Sequence, residues 1–113
     1  MDKINHLYGH FTPQQIDVQF KILHNMIFWL LLYKDPETEY KYRHINFEKY
    51  FNSLMKRISG FGELLYNPPE VCTLLSILQG AYIETQEDEF DYEVYRKLIL
   101  DSHNSLDKLK ECI

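Results

Sequence analysis

Eight apolar residues in a row, Met26-Ile27-Phe28-Trp29-Leu30-Leu31-Leu32-Tyr33, constrain this chain more than any other stretch, and they hold its only tryptophan. A bilayer span needs roughly 20 such residues. This run is far shorter, with Asp17, Lys21, His24 and Asn25 upstream and Lys34-Asp35 directly after it. The run is therefore expected to lie in a buried helix that the rest of the chain wraps and keeps from water. Thr12 can cap that helix, Pro13 fits its first position, and Gln15 completes a capping box. Phe11 and Ile16 are placed for a hydrophobic staple, and Asp35-Pro36 ends the helix after Lys34. Ile16, Phe20, Leu23, Ile27 and Leu30 form one apolar face, and Val18, Ile22, Met26, Trp29 and Tyr33 a second. Two apolar faces imply packing on two sides, as for a central helix.

Further starts and stops divide the remainder. Asn46 is placed to cap a second helix carrying Phe47, Tyr50, Phe51, Leu54, Met55 and Ile58. Gly60 and Gly62 weaken its pattern, so Phe61 to Tyr66 reads equally as a kinked continuation or as a separate turn. In Asn67-Pro68-Pro69-Glu70, Asn67 can cap and Pro68 can open a third helix, built on Val71, Leu74, Leu75, Ile77, Leu78, Ala81 and Tyr82. Cys72 reads there as a small buried hydrophobe. A fourth helix is expected from near Asp91 to the end. Its seam of Tyr92, Tyr95, Ile99, Ser102, Leu106, Leu109 and Ile113 alternates three and four apart, as in a coiled coil. The expected fold is all-α, a compact bundle of about four helices in one domain over 1–113, with 1–11 irregular.

Chemistry is sparse. His6 and His10 lack the further ligands of a zinc site, so no metal or other cofactor is expected. Neither cysteine neighbours a histidine in sequence, and the four glycines fit no phosphate-cradling loop. The chain reads as non-enzymatic. Arg96 and His103 are the exception, six residues lying between them on one stripe of the last helix. That spacing resembles the Arg-to-His motif of HEPN-type ribonucleases, small helical bundles that pair two such motifs across a dimer. The resemblance implies that Arg96 would bind a phosphate and His103 would move a proton.

The electrostatic signal is stronger. In Glu84-Thr85-Gln86-Glu87-Asp88-Glu89-Phe90-Asp91-Tyr92-Glu93 six of ten residues are acidic and none is basic. Capping a helix uses one or two carboxylates, and like charges this close repel. Glu87, Asp88, Glu89, Phe90, Asp91, Tyr92 and Glu93 are thus the candidate partner-binding residues, the two rings serving as anchors. Twelve basic residues against 17 acidic give a net charge of −5, which disfavours direct nucleic-acid binding and suits a basic protein surface. The first reading is a small acidic inhibitor, immunity or antitoxin-type protein that occupies a basic site, for example a nucleic-acid-binding groove whose phosphates it imitates. A second is the HEPN-like ribonuclease. A third is a structural subunit forming a homodimer through Tyr92, Tyr95, Ile99, Leu106 and Leu109. No signal-peptide core opens the chain, no membrane span is expected, and two cysteines are too few for a disulfide framework. A cytoplasmic home is expected.

Overall fold

The computed structural model describes residues 4–6 and 9–112, with side chains from Thr12 onward. Thr12 opens the first helix as its sequence requires. Its hydroxyl accepts from the Gln15 N–H at 3.2 Å, and its own N–H donates to Gln15 Oε1 at 2.9 Å, closing the capping box. That helix, α1, is Pro13–Lys34, and the Asp35 N–H donates back to the Leu31 carbonyl. The Phe11 half of the expected staple lies outside the described side chains, as does the seam position Ile113. Ahead of α1, in the segment expected to be irregular, strands β1 (Ile4–His6) and β2 (Gly9–Phe11) pair antiparallel, with Ile4 opposite Phe11.

After α1 a short 3-10 helix (Glu39–Tyr42) leads to α2 (Phe47–Leu64), capped by the Asn46 carboxamide on the Lys49 N–H at 3.0 Å. Gly60 and Gly62 lie inside α2, so the helix continues through them. It ends in a Schellman motif, the Asn67 N–H reaching the Gly62 carbonyl at 2.7 Å and the Tyr66 N–H that of Glu63 at 3.1 Å. Tyr66 and Asn67 take positive φ of 62° and 52° to do so. Asn67 therefore closes α2 and does not cap the next helix, α3 (Pro69–Thr85), whose N-cap is Pro68. The last helix, α4, is Tyr92–Cys112.

The four α-helices form an antiparallel bundle. Phe20 meets Phe61 and Tyr33 meets Tyr50 between α1 and α2; Phe51 stacks on Tyr82 between α2 and α3. Asp17 reaches Lys110 and Tyr95 reaches Leu30 between α1 and α4. Glu70 and Cys112 join the far ends of α3 and α4. Ile16, Phe20, Leu23, Ile27 and Leu30 of α1 are all buried, as their spacing predicts. So is the α4 seam from Tyr95 to Leu109, where the Ser102 hydroxyl is satisfied by the Ile99 carbonyl at 2.6 Å. The second face of α1 is only half covered. Trp29 and Tyr33 pack edge-on against Tyr42 of the 3-10 helix, Val18 is exposed, and Phe28, within the apolar run, is 45% exposed. The chain thus wraps only part of that run: Tyr42 of the 3-10 helix and Tyr50 of α2 reach Tyr33, and Phe28 is left largely open. Cys72 is also exposed, since α3 turns Val71, Leu74, Leu78 and Ala81 inward and position 72 away from them.

One end of the bundle is aromatic. There three phenols fasten on carbonyls of α1, Tyr50 on Met26 at 2.7 Å, Tyr95 on Leu30 at 2.7 Å and Tyr92 on Leu31 at 3.5 Å. A helical carbonyl has a second lone pair, so each bond is added to the helix ladder without breaking it. Burial, reinforced by the Tyr33 phenol, pushes the Tyr50 pKa up to about 12.

Candidate functional site

The acidic stretch spans the connection between α3 and α4, and its acidic and aromatic residues divide into three kinds. Glu84 and Asp91 are structural. Glu84 Oε1 accepts from the Asp91 N–H at 3.1 Å, and Asp91 Oδ1 accepts from the Glu93 N–H at 3.0 Å and that of Val94 at 3.4 Å, capping α4. Phe90 and Tyr92 are half-buried and turned onto Tyr95, at ring-centroid distances of 5.6 and 6.1 Å. They buttress the loop from beneath, because the short connection brings its rings over the open end of the core. Burial raises the Tyr92 phenol above its ordinary value; nearby Asp35 adds to this and Arg96 opposes it.

Glu87, Asp88, Glu89 and Glu93 are the third kind. All four are exposed. None has an ion-pair partner among the described residues, where the single ion pair is Lys110–Asp17 at 3.0 Å. Of the seven candidate partner-binding residues, the structure therefore leaves these four carboxylates outward, with Asp91 holding the helix start and the two rings packed below.

Arg96 and His103 occupy separate surroundings. Arg96 is exposed and acts on the Tyr92 phenol, while no hydrogen bond joins it to His103. His103 is half-buried, its Nε2 3.1 Å from the His24 carbonyl oxygen and its ring stacked on that of His24 at 4.1 Å and 10°. As a neutral ring with Nε2 donating to that carbonyl, His103 keeps Nδ1 as its acceptor. The His24 contact had no signal in the sequence, since it joins residues 79 apart. Burial lowers the His103 pKa from 6.5, helped by the His24 charge and opposed by the carbonyl bond and by Asp107.

That depression has a sign for stability. A histidine held neutral in the fold contributes fully above its unfolded value, and the contribution is lost as pH falls through 6.5 toward the lower folded value. Thermal melts are thus expected to show a lower midpoint at about pH 5.5 than at about pH 7.5, with a smaller fall in His103→Gln. Equal falls in both proteins would remove His103 as the cause.

The homodimer seam is turned inward: Tyr95, Ile99, Leu106 and Leu109 are each no more than 1% exposed within one chain. A dimer through these side chains would have to open the bundle.

No protein-family model, curated protein or solved structure matches this chain. Function rests on the site alone. No described helix is long and apolar enough to cross a membrane, and the described residues hold no cluster of three or more metal-ligating side chains.

Proposed function

We propose that this chain is a small acidic binding protein that docks on a basic surface of a partner protein, as inhibitors, immunity proteins and antitoxins do. The observation that carries the reading is the set of four exposed carboxylates, Glu87, Asp88, Glu89 and Glu93, without cationic partners among the described residues. Their mutual repulsion is a standing cost, which a cationic partner surface would relieve. The loop is also held in advance, by the Asp91 cap below Glu93 and by Phe90 and Tyr92 under its turn. A preformed loop pays less ordering entropy on binding. A partner site that ordinarily binds nucleic-acid phosphate is one basic surface that such a cluster of carboxylates would suit. Two free, exposed thiols, Cys72 and Cys112, suit a reducing compartment such as the cytoplasm.

The test is capture of the partner on immobilised protein, comparing wild type with a Glu87→Gln, Asp88→Asn, Glu89→Gln, Glu93→Gln variant. The variant is expected to keep its helical circular dichroism and to lose the partner, and high salt is expected to strip the partner from wild type. A partner held equally by the variant would end the reading.

A second reading, RNA cleavage through Arg96 and His103, is favoured by one observation, the lowered pKa that keeps His103 a neutral base near pH 7. Cleavage that persists in His103→Ala would dispose of it.

A further inference from the structure

At the aromatic end of the bundle, the last turn of α1, the 3-10 helix and the first turn of α2 border an open-mouthed cavity of about 180 Å³. Lys34, Arg43 and Glu39 line it together with the rings of Tyr33, Tyr42 and Phe47. We propose that this cavity binds a small organic anion, a carboxylate or phosphate carried on an apolar body about the size of one ring.

The size comes first. Sites for drug-sized ligands run to roughly 300–1,000 Å³. This cavity is smaller, so the ligand is a single ring or short chain with one charged group. The charge comes next. In a chain of net charge −5, two cations and one carboxylate meet at this cavity. Neither cation forms an ion pair with a described residue, and the Lys34 ammonium lies 4.4 Å from the centroid of Phe47, against the cavity wall. A cation over a ring retains its hydrogen-bonding capacity for an anion.

The hydroxyls give a third observation. Tyr50, Tyr92 and Tyr95 each spend theirs on an α1 carbonyl. The hydroxyls of Tyr33 and Tyr42, which line the cavity, donate to no described group. Burial raises the Tyr33 phenol above its ordinary value, so it stays a donor across the physiological range. Two phenols, an ammonium and a guanidinium are all donors to an anion, and the rings of Tyr33, Tyr42 and Phe47 give the cavity an apolar lining beside them. Glu39 opposes an anion, which gives the site an internal control.

Trp29 reports on the site, being the only tryptophan and packed edge-on to Tyr42 at 5.6 Å. The test titrates the full chain with phenyl phosphate and with benzoate, using benzyl alcohol as the neutral comparison, and reads Trp29 emission and amide NMR shifts. At least one of the two anions is expected to produce a saturable change that benzyl alcohol does not match. Arg43→Ala, at an exposed position, is expected to weaken that binding about tenfold or more, as for loss of a hydrogen bond between charged groups. Lys34→Ala is expected to weaken it too, and Glu39→Gln to tighten it. The proposal is overturned if neither probe saturates at millimolar concentration. Full affinity in a folded Arg43→Ala would overturn it, as would binding weakened by Glu39→Gln or equal affinity for benzyl alcohol. The site uses none of the acidic-loop carboxylates, so it and the docking reading fail separately.

Discussion

Replacing Tyr95 with alanine is expected to destabilise the bundle by about 3–5 kcal/mol, the range for deleting a large buried aromatic side chain. Tyr95 is fully buried, its ring contacts Phe90 and Tyr92, and its hydroxyl donates to the Leu30 carbonyl at 2.7 Å. Burial drives its pKa far above the ordinary phenol value. Tyr95→Phe separates the two contributions. It keeps the ring and loses one hydrogen bond, for an expected cost of about 0.5–1.5 kcal/mol, because the Leu30 carbonyl retains its place in the helix ladder. Chemical denaturation of the three proteins checks this. A Tyr95→Ala loss below about 1 kcal/mol would mean that α4 does not turn this residue into the core. The same residue bears on the proposed docking surface. Phe90 and Tyr92 rest on Tyr95, so Tyr95→Ala is expected to weaken partner capture even where the carboxylates are intact.

The elements that local chemistry controls were legible in the sequence. Thr12-Pro13-Gln15 and Asp35-Pro36 bound α1 where they stand, Asn46 caps α2, and Asp91 caps α4. Periodicity was equally direct for the inner face of α1 and for the α4 seam, because a three-four spacing maps onto one helix stripe whatever its partners are. What depends on neighbours was not legible. Whether Phe28 is covered is decided by what packs on α1 beside it, and there the 3-10 helix meets Trp29 and Tyr33 through Tyr42, and α2 meets Tyr33 through Tyr50, while Phe28 stays 45% exposed. Asn67 has the composition of a cap, yet a backbone bond to Gly62 draws it into the end of the preceding helix. Phe90 and Tyr92 read as exposed anchors among acids, and the open end of the core draws them in. The cavity had no signal in the sequence, since it needs Lys34 and Phe47 from two different helices. The acidic run was legible as a run, but the bond from the Asp91 N–H to Glu84, which joins residues seven apart, came only with the loop's geometry.

The two glycines of α2 look interchangeable in sequence and are expected to respond oppositely to alanine. Gly60 is exposed, and a Cβ there would meet nothing within 4 Å. Gly60→Ala is expected to stabilise by about 0.5–1 kcal/mol, through the lower backbone entropy of alanine in the unfolded chain and its better helix propensity. Gly62 faces α3. A Cβ there would lie 2.7 Å from Cγ1 of Val71 and 3.1 Å from Cγ2. Val71 is buried and β-branched, so its χ1 is stiff and its methyls cannot swing aside cheaply. The same propensity gain is then set against an overpacking cost of about 1–3 kcal/mol, and Gly62→Ala is expected to destabilise, about 2 kcal/mol apart from Gly60→Ala. Combining Gly62→Ala with Val71→Ala identifies the cause. The truncated side chain makes room for the new methyl, so the double variant is expected to lose less stability than the two single losses added together. Strict additivity would place the cost in the backbone of the α2 terminus, where the Gly62 carbonyl accepts from Asn67. If Gly62→Ala instead stabilises as much as Gly60→Ala, α2 and α3 do not approach as closely as this packing requires, and the bundle end that opens toward α3 is looser than the structure has it.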